Sequence, residues 1–349
     1  IIVGQGLAGS CMALQLIGRG KKIMVFDEPE KNRASSVAAG LFNPVTGKRL
    51  VKSWNADKIF SYLFQFYSDA EKLLNENFFH PMPIYCPFVS VEEQNEWMSI
   101  SSEDSLSVFI EKIFTQPTFK QTNNEFGGFL IRQSGYVDVN LFMISVRKFL
   151  KDSFRQQNFD ANKVEVHANE IHYENIHADA IIFCDGMKAK SNPFFAELPV
   201  IPLKGETLSV KLNENPEAIF NRGVYLVPDL KSNSFKVGAT YQPNDSVQGT
   251  TANARAELED KLNKLTNIPF QIIEQDWGIR PSTRDRRPIV GHHPQHKNIL
   301  TFNGLGTKGV SLSPYFSNVI ADWLEGKIEI PREVNIERFK ALYSKLSLQ

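Results

Sequence analysis

The sequence predicts an α/β protein: a doubly wound, mostly parallel domain assembled from both ends of the chain, with a largely antiparallel α+β insert between. Three observations carry this. A glycine-patterned strand–turn–helix opens the chain, and a buried strand at Ala180-Ile181-Ile182-Phe183-Cys184-Asp185 returns to it and ends in a turn at Gly186. A strand, glycine-rich loop and helix then close the chain beyond Ile299. Between them, Leu203–Leu212, Gly223–Val227 and Phe235–Tyr241 read as hairpin strands. The 349 residues suffice for roughly two domains. The expected division gives residues 1–78, 137–198 and 277–349 to the doubly wound domain, and 79–136 and 199–276 to the insert.

The opening segment is Ile1-Ile2-Val3, a short buried strand, then Gly4-Gln5-Gly6-Leu7-Ala8-Gly9 and an apolar helix through Ile17. Lys22 to Phe26 makes a second strand that ends at Asp27. Gly4 permits the tight turn, Gly6 lets the backbone approach a pyrophosphate, and Gly9 lets helix and strand pack closely. The amides at Leu7 and Ala8 open the helix, where free N–H groups and the macrodipole favour an anion. Asp27, about 20 residues after the turn, suits a ribose hydroxyl. Asp27 and Glu28 together disfavour a 2′-phosphate. The motif in this context is a Rossmann-like dinucleotide site, and these residues alone leave FAD and NAD both open.

Ala34 to Arg49 is a loop of small residues, including Ser36, Ala39 and Gly40, that would allow close approach of a flat ligand or serve only as a surface loop. Ile59, Tyr62, Leu63, Phe66, Ala70, Leu73 and Leu74 mark a long amphipathic helix. Gly135-Tyr136-Val137-Asp138 leads into another at Leu141–Leu150, Lys163–His167 alternates like a strand, and Ala252–Leu265 is helical.

The segment from Trp277 to Gly291 places Arg280, Arg284, Arg286 and Arg287 beside Asp285, Pro281 and Pro288. Forked guanidinium donors between prolines suit rigid recognition of a carboxylate, and at least one of these arginines is expected to pair with Asp285. Gly304-Leu305-Gly306-Thr307-Lys308-Gly309 then feeds a helix with Pro314 in its first turn and Ser311 or Ser313 as cap, a second place for negative charge. His292, His293 and His296 lie in a polar loop without cysteine or acid at metal spacing, so they read as surface histidines and no metal is expected.

Composition excludes several classes. Lys+Arg and Asp+Glu both number 39, so no net charge draws the chain to nucleic acid or a membrane. No apolar run approaches the about 20 residues of a membrane span, and no leader precedes the first strand. Three scattered cysteines, Cys11, Cys86 and Cys184, argue against disulfides, so they are expected as buried thiols in a cytoplasmic protein.

Taken in order, these motifs resemble the D-amino-acid-oxidase-like FAD oxidoreductases, especially glycine oxidase and the oxidase domain of the bifunctional tRNA-uridine-modifying enzyme. Lys204-Gly205-Glu206, Tyr225-Leu226-Val227-Pro228, Val237-Gly238-Ala239-Thr240 and Gly278-Ile279-Arg280-Pro281 extend the resemblance through the insert. It implies a noncovalent FAD, since Gly278-Ile279 offers no attachment cysteine. The cofactor residues it implies are Gly4, Gly6, Leu7, Ala8, Gly9, Asp27, Ser36, Ala39, Gly40, Gly186, Gly304, Gly306, Thr307, Lys308 and Gly309. It also implies catalytic-site roles for Arg280, which would grip a substrate carboxylate, for Tyr225 and for Lys308. The implied reaction is hydride transfer from a carbon bearing nitrogen in a small amine or amino acid, with oxygen or an unknown carrier as electron acceptor. Thr307-Lys308 stands where glycine oxidases carry an arginine-bearing segment, and Gly223 where they carry a histidine, which argues against glycine itself as substrate. The alternatives are oxidation of a carboxymethylaminomethyl-type uridine in tRNA, with Lys48, Arg49, Lys52, Arg284, Arg286, Arg287 and Lys308 as a phosphate rim, or flavin reduction by NAD(P)H.

Overall fold

In the computed structural model, residues 1–28, 32–46, 51–100 and 104–343 are described. The first sheet is built from the strands whose apolar runs read as fully buried. Its order is Phe154–Gln156, Val25–Asp27, Ile2–Val3, Ile181–Phe183, His296–Asn303 and Ile289–His293. The first five are mutually parallel, and Ile289–His293 adds an antiparallel edge. The returning strand is therefore central, directly beside the opening one, as its unbroken apolar run requires.

Three long helices cover one side. Leu7–Gly18 packs against Gly309–Leu324, which in turn packs against Ala56–Leu74. The last helix begins earlier than its serines suggest: it opens at Gly309 without a capping side chain, so Pro314 falls inside it. A proline there leaves the carbonyl four residues back without its helical partner. That carbonyl, Val310 O, accepts the Tyr67 hydroxyl at 2.9 Å, which explains how the proline is tolerated. Trp54 stacks on Phe316 nearby, with centroids 5.9 Å apart.

The second sheet is larger and almost wholly antiparallel. It runs Gln242–Pro243, Ile201–Leu212, Ser234–Gly238, Val224–Asp229, Ile219–Arg222, Ile84–Pro87, Gly128–Ile131 and Ile110–Phe114. Phe270–Ser282 pairs along the whole of Ile201–Leu212. Sequence reading gave no strand there, because Gly278 and Pro281 look like breakers and the outer half alternates only weakly. The strand is an edge, where proline is tolerated. It runs past the division placed at residue 277, so Trp277 to Ser282 belong to the antiparallel sheet. Likewise only Glu165–Val166 of the expected strand at Lys163–His167 is extended.

All three cysteines are free and buried. Among the described residues no helix is long and apolar enough to cross a membrane.

Candidate active site

The carboxyl ends of the parallel strands open onto a cavity of about 1090 Å³. Drug-sized ligands fill pockets of roughly 300–1,000 Å³, so this one has room for a dinucleotide. Its wall joins the expected residues Gly4, Gly6, Leu7, Ala8, Asp27, Gly186, Gly306, Thr307, Gly309 and Arg280. Both glycine-rich loops thus face one space, although about 300 residues separate them in the chain.

Each helix that starts there has an open N-terminus. Neither cap position, Gly6 or Lys308, supplies a side-chain capping bond. Only the Leu7 amide is met by a side chain, donating to Ser35 Oγ at 3.2 Å. Gly9 faces away from the cavity: a Cβ there would overlap the Gly4 carbonyl oxygen, so its task is helix–strand contact. This backbone cradle and the two uncapped helix starts fit the pyrophosphate-bearing cofactor that the motif implies.

Asp27 is buried, and the protein itself already engages both of its oxygens. The Gln5 amide donates to Oδ1 at 3.0 Å, and Arg33 Nη1 reaches both oxygens at 2.8 and 2.9 Å. Arg147 Nη2 lies 3.7 Å from Oδ2. Sequence reasoning missed both arginines: Arg33 follows in a polar loop, and Arg147 comes from a helix more than a hundred residues on.

Asp185 follows directly on the returning strand Ile181–Phe183 and Cys184. It stands half-buried in the cavity wall, and its oxygens accept from Asn192 Nδ2 at 2.9 Å and Asn303 Nδ2 at 3.2 Å. Burial pushes its carboxyl up to about 6 despite those bonds. Asn303 also donates to the Gly186 carbonyl at 2.8 Å, which ties the returning strand to the second glycine loop.

Arg280 is treated in the opposite way to Asp27. It extends over Gly205, where a Cβ would overlap its guanidinium, so the glycine of Lys204-Gly205-Glu206 makes room for it. Its Nη1 is buried without a hydrogen-bond partner. Desolvation lowers its pKa, opposed mainly by Tyr225 and Tyr241, and raises that of Tyr225. The Lys204–Glu206 pair, 3.5 Å apart, leaves Arg280 alone: Glu206 is spent on Lys204, on the Thr251 amide and hydroxyl, and on Gln275. A buried guanidinium with an unmet donor is a site prepared for an anion.

Other expected residues fall elsewhere. Ser36 donates to the Arg33 carbonyl, Ala39 packs into the main core, Gly40 sits against the Val137 carbonyl and Gly304 against Thr283. Tyr225 is not part of the cavity wall but reaches Gly238 across the sheet. Lys308 Nζ donates to Ser53 Oγ at 3.0 Å, and burial lowers its pKa. Asp285 pairs with the Arg338 guanidinium, at 3.5 Å, and meets its neighbour Arg287 only through that residue's backbone amide, which donates to Oδ1 at 3.1 Å. Arg287 lies over Trp54, 4.3 Å from the centroid, while Arg284 and Arg286 are exposed. Lys48 and Arg49 of the phosphate rim lie outside the described residues, and Lys52 pairs with Asp57 at 2.7 Å. His293 is a buried residue, not a surface one. Its Nδ1 accepts the Gln295 amide at 3.1 Å, and burial lowers its pKa to about 4.

A doubly wound dinucleotide cradle beside an unpaired arginine on an antiparallel sheet defines the class: a flavin-dependent oxidoreductase. The chain belongs to the FAD-dependent oxidoreductase family, whose profile matches residues 1–323. It is 26% identical to glycine oxidase of Bacillus licheniformis over 98% of this chain and 96% of that protein. A match with glycine oxidase of Bacillus subtilis, 31% identical, spans 39% of each chain. The crystal structure of glycine oxidase from Bacillus cereus superposes with a TM-score of 0.76 at 18% identity, covering 94% of this chain and 95% of that one. The protein is thus a glycine oxidase-like enzyme with FAD as its cofactor.

Proposed function

We propose that this enzyme oxidises the carbon–nitrogen bond of a small amino acid or N-substituted glycine whose carboxylate is held by Arg280. The observation that carries this reading is the buried, unpartnered Nη1 of Arg280 at the wall of the dinucleotide cavity. FAD, held noncovalently, supplies the hydride acceptor.

The chain's own work is binding, orientation and electrostatics. Arg280 presents a planar fork that fixes the substrate carboxylate and hence the direction of its Cα–N bond. Tyr225 keeps its proton, because desolvation raises its pKa, so it serves as a hydrogen-bond donor and not as a base. A substrate amine that enters neutral needs no base. Lys308 and the start of helix Gly309–Leu324 place positive potential beside the cavity, where negative charge would develop on hydride arrival. Gly4, Gly6, Leu7, Ala8, Gly186, Gly306, Thr307 and Gly309 are the residues we assign to the cofactor, with Asp27 at its ribose. We take the parallel sheet with its helices as the cofactor-binding domain and the antiparallel sheet as the substrate domain. Three buried thiols suit a cytoplasmic setting, and the electron acceptor is oxygen or a carrier.

The test is anaerobic flavin bleaching by a panel of amino acids and N-alkyl glycines. The expected result is bleaching by one or a few carboxylate-bearing amines, with little dependence on salt. Bleaching by NAD(P)H alone would replace this reading with a reductase. Bleaching only by tRNA, falling by orders of magnitude in affinity across a modest salt range, would replace it with an RNA-directed oxidase.

A further inference from the structure

A second cluster of chemistry-bearing side chains lies away from the cavity, on a three-stranded meander formed by Glu165–Val166, Ile171–Tyr173 and Ile176–Ala178. Strand alternation sorts its residues by face. Ile171 and Tyr173 point inward: Ile171 joins the core that also contains Phe183, and Tyr173 packs against Phe26 and Phe159. The outward face collects Glu165, His172 and His177, because Glu165 pairs with His172 and His172 with His177 in the strand register. His167 and Glu170, at the turn between the first two strands, complete the group.

The three rings lie close together but tilted, with interplanar angles of 44° and 53°. His172 lies with its centroid 4.1 Å from that of His167 and 4.0 Å from that of His177. Glu170 reaches towards two of them: Oε1 is 2.8 Å from His172 Nε2 and Oε2 is 3.7 Å from His177 Nδ1. That close approach is poorly aligned, so His172 Nε2 is a buried atom without a hydrogen-bond partner. Buried polar nitrogens rarely stay unsatisfied. One donor atom from each of Glu170, His172 and His177 falls within 4.8 Å of the others. Donors around a tetrahedral ion with bonds of about 2.0–2.1 Å sit some 3.4 Å apart, so a small rotamer adjustment of exposed side chains closes the set.

We propose that Glu170, His172 and His177 bind one divalent transition-metal ion of the zinc, nickel or copper type, with water completing its coordination. Two imidazoles and a carboxylate are the donor set such ions prefer over magnesium or calcium. The site is structural in position. It joins two strands of the meander, whose Tyr173 stacks on Phe159 with centroids 3.9 Å apart, and Phe159 lines the large cavity. The second grouping, Glu165, His167 and His172, shares His172 and so competes for the same ligand. Its Glu165 and His167 are 3.8 Å apart, with no buried unsatisfied atom of their own.

The experiment is isothermal titration of FAD-loaded, tag-free protein with zinc after chelator treatment, paired with thermal unfolding. The wild type should take up one equivalent of zinc and unfold at a higher temperature with zinc present. His172→Ala, Glu170→Gln and His177→Ala should each weaken binding by roughly tenfold or more, and His167→Ala should leave it within about twofold, as expected when only the first three are ligands. A double variant of the half-buried neighbours of His293, His292→Gln with His296→Gln, should bind as the wild type does. Absence of saturable uptake by the wild type would overturn the site, as would His177→Ala binding zinc with unchanged affinity. Because flavin content and substrate bleaching are read separately, failure here leaves the assignment of Arg280 standing.

Discussion

Two charged residues of the same enzyme, Asp27 and Arg280, are solved by the fold in opposite ways. Asp27 reads in the sequence as a ligand waiting for a ribose, yet the folded chain already meets it with Gln5, Arg33 and Arg147. Arg280 reads as one of four arginines with a neighbouring aspartate, yet it finishes without a carboxylate. The carboxylate is therefore part of the architecture, to which a ribose would add on the proposed reading. The guanidinium is a cost the architecture carries until an anion arrives.

The sharpest way to break that comparison is Arg280→Met. If the arginine exists for a ligand, kcat/KM for a carboxylate-bearing amine should fall by roughly 10–150-fold, the equivalent of about 1.5–3 kcal/mol, with normal FAD content. The melting temperature should hold or rise, because an isolated buried charge gives way to a well-shaped apolar chain. Arg280→Lys should be nearly as poor, since a point charge does not replace the fork. A large fall in melting temperature would instead mark Arg280 as structural.

Asp27→Asn should behave in reverse. It leaves two guanidinium groups facing a neutral amide, at a cost near 2 kcal/mol once the partial exposure of both arginines is discounted. A melting temperature several degrees lower is expected even without substrate, together with weaker FAD retention. Stability equal to the wild type would contradict the claim that Arg33 and Arg147 hold the loop through Asp27.

The smallest effect concerns Asp185. Its folded pKa of about 6 lies above the model-peptide value of 3.8, so the folded state holds its proton more tightly. The stability this group contributes is complete below about pH 4 and is lost as pH rises through 6. Asp185→Asn should thus gain stability relative to the wild type across that window, by about 1–2 kcal/mol, since a half-buried carboxyl stays partly solvated. Chemical denaturation at pH 4, 5, 6 and 7 checks it, and a constant difference between the two proteins would contradict it.

The same contrast explains what the sequence disclosed. Local, repeating signals were legible: the Gly4–Gly9 turn, the buried run at Ile181–Phe183 and the stripe along Ala56–Leu74 each follow from spacing alone. Arg280 was legible as a candidate through its neighbours Gly278 and Pro281. Partners brought by tertiary contact were not. Nothing near Asp27 announces Arg147, nothing near Pro314 announces Tyr67, and nothing near Asp285 announces Arg338. The strand Phe270–Ser282 was hidden because an edge position excuses the glycine and proline that local rules treat as breakers. The meander histidines were hidden for a related reason: register, not sequence spacing, puts His172 beside His177.

One equilibrium measurement tests directly whether Arg280 is kept unpaired for a substrate carboxylate. FAD-loaded wild-type protein can be titrated, without turnover, with glycolate and with its neutral amide, following the flavin absorbance. Glycolate should perturb the spectrum saturably and bind at least tenfold more tightly than the amide, matching a charge-assisted bond of about 1.5 kcal/mol or more. Equal affinities for the carboxylate and the amide would contradict it.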